Sequence, residues 1–76
     1  MSSVEAAELV RFVASEIVSD ADAIQVHARE GGVLELETAP DDRGRVIGRQ
    51  GRVAKAIRAV LAASRVGRDF RLEIVD

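Results

Sequence analysis

The sequence predicts a two-layer α+β domain, with three helices packed on one face of a three-stranded sheet in the order α-β-β-α-α-β. Three observations predict it: two long apolar stripes at three- and four-residue spacing, three short stretches that alternate apolar with polar residues, and glycine or proline at the junctions. Ser2 followed by Glu5 forms a capping box, and Ala6, Leu9, Val10, Val13 and Ile17 then share one face, predicting a helix over 3–18 that Asp20 and Asp22 close. Ile24, Val26 and Ala28 alternate with Gln25, His27 and Arg29, which predicts a strand over 23–29. Glu30-Gly31-Gly32 suits a tight reversal, and Leu34 and Leu36 alternate with Val33, Glu35 and Glu37, so a hairpin is expected over 23–38. Pro40 pre-sets the backbone for a short helix over 40–46, with Asp41 and Asp42 placed at the positive end of its dipole. Gly48 and Gly51 interrupt that helix. Val53, Ala56, Ile57, Val60 and Leu61 then mark a helix over 52–63, making a helix–loop–helix unit of 40–63. Phe70, Leu72 and Ile74 alternate with Arg71, Glu73 and Val75, predicting a last strand over 69–75. Phe12 and Phe70, the only aromatic residues, lie within or beside these stripes and are expected in the core.

A chain of 76 residues supports one hydrophobic core, so a single domain over 1–76 is expected. The absence of cysteine removes any disulfide framework or thiolate metal site and suits a reducing compartment, the cytoplasm by default. No uncharged run approaches the ~18 residues of a membrane span, and the acidic first helix lacks the basic start of a signal peptide. Net charge is only −2, yet it is segregated along the chain. From Arg43 to Arg68 there are eight basic residues and no acidic one, a charge of +8, while the remainder has three basic and thirteen acidic residues, a charge of −10. A cationic segment in an anionic protein is a candidate phosphate-attracting surface. A solvated Arg-rich helix would give the same pattern, so charge alone does not decide.

The inventory for catalysis is thin. His27 is the only histidine, there is no tyrosine or cysteine, and a strand histidine between Gln25 and Arg29 reads as solvent-facing rather than catalytic. Asp41 and Asp42 could be taken for a metal or acid–base pair, but a helix start already accounts for them, and no zinc ligand set is available. No enzyme activity, cofactor or metal is expected.

The one glycine-rich stretch with charge is Gly44-Arg45-Val46-Ile47-Gly48-Arg49-Gln50-Gly51-Arg52. It fails the Walker A template because Arg52 and Val53 stand where Lys and Ser or Thr are required. It fails the dinucleotide fingerprint because Val46 occupies the first required glycine and a helix precedes it. What remains is Gly-x-x-Gly at a helix-to-helix junction. With glycine at ~7%, such a pair arises by chance on the order of 0.3 times in a chain this long, so specificity must come from context. Here the context is Ile47 and Val53 on either side and Arg52, Lys55 and Arg58 on the exposed face of the next helix. Missing Cβ atoms at Gly48 and Gly51 allow a sugar–phosphate backbone close approach, and free N–H groups at a helix start face the phosphates. Arg49 and Gln50 add a cation and a neutral donor, so the loop can grip backbone without reading bases.

Val46-Ile47-Gly48-Arg49-Gln50-Gly51 resembles the V-I-G-x-x-G signature of KH domains, and the element order resembles their type II, prokaryotic arrangement. More narrowly, the run from Ala39 to Arg58 and the ending Leu72-Glu73-Ile74-Val75-Asp76 resemble the KhpA family of small bacterial single-KH-domain RNA-binding proteins. The similarity covers essentially the whole chain. It implies a mixed three-stranded sheet under three helices and about four nucleotides of single-stranded RNA in the groove beside the loop, where the bases would be read. It further implies an RNA-chaperone role tied to cell elongation and division, and homodimers or heterodimers with a larger KhpB-like KH-domain protein. The site residues are then expected to be Gly48, Arg49, Gln50 and Gly51, with Arg45, Ile47, Arg52 and Lys55 around them. Ile47, Val53 and Leu36 are candidates for an apolar groove floor, each with core packing as the competing role. The family often carries Lys at the position of Arg49 and Met or Leu near Arg43, so Arg43 puts in doubt a surface that relatives use for other contacts. The alternative to RNA binding is a KH–KH interaction module in which RNA contact is minor.

Overall fold

The computed structural model describes residues 2–75. Helix α1 (Ser3–Ser15), strands β1 (Gln25–Arg29) and β2 (Val33–Glu37), helices α2 (Arg43–Ile47) and α3 (Arg52–Ala63) and strand β3 (Arg71–Ile74) follow one another in the order expected. The sheet is mixed, with strand order β1-β2-β3; β1 runs antiparallel to β2, and β3 runs parallel to it. A parallel neighbour requires a crossover, and the α2–α3 unit is that crossover. Leu34 pairs with Leu72 and Leu36 with Ile74, so β2 and β3 present matched apolar rows to the helices. Ala6, Val10 and Ala14 of α1 and Ile57 and Leu61 of α3 pack on Ile24, Leu34, Leu36 and Leu72 to form the core. Because strand side chains alternate, the other face of the sheet is charged: Arg29 Nε donates to Glu35 Oε1 at 2.9 Å, and His27 lies 3.8 Å from Glu37 Oε1.

Helix α1 ends at Ser15, three residues short of the expected 18. The Ser15 hydroxyl donates to the Phe12 carbonyl, and the chain then turns away, with Ile17 N and Val18 N both donating to Ala14 O. Ile17 and Val18 still pack against the core, but from a turn, which is why the apolar spacing ran on past the helix. At the other end the Ser2 hydroxyl accepts from Val4 N at 3.1 Å, so the cap forms on the second helical amide rather than on Glu5. Strand β1 begins at Gln25, two residues after the expected start, because Ala21–Ala23 is wound into a 3₁₀ turn; Ile24 is buried just ahead of the strand, and Ala28 is exposed. Strand β3 is likewise shorter than 69–75.

The expected short helix over 40–46 divides into a 3₁₀ turn, Pro40–Asp42, and α2. Asp42 does not cap its own helix. Its carboxylate is 3% exposed and accepts from Ser19 N and Asp20 N, each at 3.0 Å, so it ties the turn after α1 to the start of α2. Phe12 is not in the core either: it is 63% exposed, because it lies two residues, or about 200°, beyond Val10 on the helix. Phe70 is partly buried against the core, as expected. On α3 the buried positions are Ala54, Ile57 and Leu61; Val60, expected on the apolar stripe, is 46% exposed.

Candidate nucleic-acid interface

The junction between α2 and α3 is a turn built almost entirely from left-handed backbone. Gly48 has φ 77°, Gln50 φ 58° and Gly51 φ 74°, with Arg49–Gly51 closing a single 3₁₀ turn in which Gly51 N donates to Gly48 O at 3.0 Å. The two glycines are required for different reasons. A Cβ on Gly48 would stand 2.5 Å from Val53 Cγ2 and 2.7 Å from Val53 N, so this position tolerates no side chain beside α3. A Cβ on Gly51 would meet nothing within 4 Å, so its requirement is the backbone angle, and the space beside it is open to a ligand. Arg49 and Gln50 are exposed at the tip.

Cations surround the turn. Arg52 opens α3 and donates through Nη2 to Gln50 Oε1 at 3.2 Å, bracing the loop, and Lys55 lies exposed one turn further on. No acidic residue and no side-chain cap occupies the first turn of α3, which leaves the positive end of its dipole uncompensated beside the loop. Arg45, on α2, donates through Nη1 to the Ser19 hydroxyl at 2.7 Å and is therefore anchored to the turn after α1. Asp42 sits beside it. The Ser19 and Asp20 amides hold the Asp42 carboxyl below its ordinary value, the Arg45 charge acts in the same direction, and burial partly opposes both.

The structure thus gathers Gly48, Arg49, Gln50, Gly51, Arg52 and Lys55 along one lip, with Arg45 fixed on the preceding helix. Ile47, 37% exposed, ends α2 directly before the turn and adds an exposed apolar side chain beside that lip. Leu36 is not part of a groove floor, because it is fully buried between the sheet and the helices, and Val53 is half-buried against Gly48 and the core. One contact escaped the sequence reading: Arg58 Nε donates to the Leu72 carbonyl at 3.1 Å, joining α3 to the outer edge of β3. A helical position three residues beyond Lys55 was the available signal, but the acceptor is a main-chain atom that no sequence pattern marks. Among the described residues no group of three or more His, Asp or Glu side chains is arranged to hold a metal, and no helix is long and apolar enough to cross a membrane.

A family model described as KhpA/KhpB, KH domain matches residues 7–74. A protein of Streptomyces coelicolor named RNA-binding protein KhpA is 43% identical over 72 residues, covering 91% of this chain and 90% of its own length. A protein of the same name from Halalkalibacterium halodurans is 42% identical over 73 residues, covering 90% and 96%. Another from Caldanaerobacter subterraneus subsp. tengcongensis is 43% identical over 60 residues, covering 75% and 80%. With the mixed sheet, the helix–turn–helix crossover and a Gly-x-x-Gly turn at the head of α3, the chain belongs to the KhpA/KhpB family of KH domains.

Proposed function

We propose that this chain binds single-stranded RNA, gripping about four nucleotides of backbone at Gly48-Arg49-Gln50-Gly51 with help from Arg45, Ile47, Arg52 and Lys55. The observation that carries the reading is the turn itself: a left-handed, glycine-bounded loop, open beside Gly51, at the uncompensated positive end of a helix lined with cations. The names of its relatives point the same way. The domain acts as a binding module over 1–76 rather than as an enzyme, working in the cytoplasm. Its expected task is that of an RNA chaperone connected with cell elongation and division, which rests on the family resemblance alone. Titrating a short single-stranded RNA while following backbone amide resonances tests the site. Perturbations centred on residues 45–55 support it, and perturbations confined to the charged face of the sheet contradict it.

A specific observation favours dimerisation alongside RNA binding. Phe12 of α1 and Val60 of α3 expose apolar surface although α1 and α3 pack against each other within the domain. A second copy, or the KH domain of a larger KhpB-like partner, would cover that surface and link two RNA sites, raising the effective affinity. If dimerisation proves to be the main activity and RNA contact minor, amide perturbations will follow protein concentration rather than RNA.

A further inference from the structure

Resting on that RNA-binding reading, we propose that Arg58 is the residue that selects a base, favouring a guanine or cytosine over adenine or uracil at one position of the bound strand. The argument starts from the free edge of the sheet. β3 is an outer strand, and Arg71 N and Val75 N donate inward to Gly32 O and Leu36 O of the neighbouring strand segment. Main-chain groups alternate in direction along a strand, so Leu72, one residue after Arg71, turns its carbonyl outward. Arg58 Nε occupies that carbonyl at 3.1 Å.

This contact places the guanidinium at the outer edge of β3 on the surface that leads from the glycine turn. Arg52, Lys55 and Arg58 follow one another at three-residue steps, each falling about 60° short of a full helical turn. The row therefore winds from the side of α3 opposite the buried Ala54, Ile57 and Leu61 towards β3. From Arg52 to Arg58 the rise is about 9 Å, within the span of the ~4 nucleotides that a loop of this kind holds. The loop end of the row is suited to phosphates, and in this proposal a base of the same strand reaches the guanidinium held at the β3 end.

The chemistry of the fork then sets the preference. The bond to Leu72 fixes the plane of the Arg58 guanidinium, and its two terminal nitrogens have no protein partner among the described residues. A rigid pair of parallel donors needs two adjacent acceptors on one base edge. Guanine offers O6 and N7, and cytosine offers O2 and N3. Adenine offers N7 beside an amino donor, and uracil places N3–H between its carbonyls, so each would leave part of the fork unmatched.

The test uses uridine hexamers in which a single G, C or A replaces uridine at each position in turn, with affinities measured for the full chain and for Arg58→Lys and Arg58→Gln. The expected result is that G or C at one position strengthens wild-type binding about tenfold over all-uridine RNA while A does not. Arg58→Lys keeps the charge but lacks the fork, so it should bind all-uridine RNA within about twofold of wild type and lose the preference. Arg58→Gln keeps a donor for Leu72 and should lose the preference too, with the fold of both variants verified by circular dichroism. A preference that survives in both variants, or a wild type that binds all hexamers alike, overturns the role of Arg58 and leaves RNA binding intact. Failure of wild type to bind any hexamer overturns both.

Discussion

Asp42 shows how one side chain sets the position of the loop. Its buried carboxylate satisfies two amides more than twenty residues upstream and lies beside Arg45, so the turn after α1, the start of α2 and one cation of the site are held together. Because its folded pKa is depressed below the ordinary 3.8, the stability it contributes is fully present above the unfolded value and is lost as pH falls through the folded one. Urea midpoints measured from about pH 5 down to about pH 2 should therefore fall less steeply for Asp42→Asn than for wild type, with the variant already weaker at neutral pH. The two loop glycines should separate by mechanism. Gly51→Ala carries only the left-handed backbone penalty, about 1–2 kcal/mol. Gly48→Ala adds the collision with Val53 and should lower the melting temperature further. Residue roles were the least legible part of the sequence. Asp42 at a helix start looked like a cap, and nothing in its neighbours marked Ser19 and Asp20 as partners, since long-range hydrogen bonds leave no periodic trace. Phe12 was legible in principle, because its angular distance from Val10 already placed it outside the stripe.

At the scale of elements, apolar period fixed type more surely than ends. Helix α3 spans the expected 52–63 because glycine stands before it and Ser64 after it, whereas α1 stops three residues short of the expected 18, because Ile17 and Val18 keep helical spacing while packing from a turn. The glycine turn was legible as a junction, but the left-handed Gln50 and the clash that excludes a side chain at Gly48 emerge only from coordinates. Helices α1 and α3 also carry the proposed dimer surface. Phe12→Glu with Val60→Glu should leave melting almost unchanged, since both side chains are exposed, and should shift the solution mass towards the monomer by light scattering. Binding of a hexameric RNA by each monomer should persist, and only the avidity for longer RNA should fall.

For the whole molecule, the fold converts a charge pattern along the chain into one between surfaces. The segment from Arg43 to Arg68 supplies the loop and α3, while Glu35, Glu37 and Glu73 belong to the strands. On the proposed reading this arrangement draws a polyanion to the loop side of the protein, and binding that depends on phosphates must weaken with salt, the logarithm of affinity falling by about 0.7 per phosphate neutralised for each tenfold rise in salt. The most direct test of the central claim is the affinity of the purified protein for a short single-stranded RNA at two salt concentrations, beside an Arg49→Asp, Gln50→Asp double variant of verified fold. The account predicts wild-type binding that weakens with salt and a variant that binds at neither concentration. Equal binding by the two proteins, or no dependence on salt, would contradict the assignment of the glycine turn as the RNA clamp.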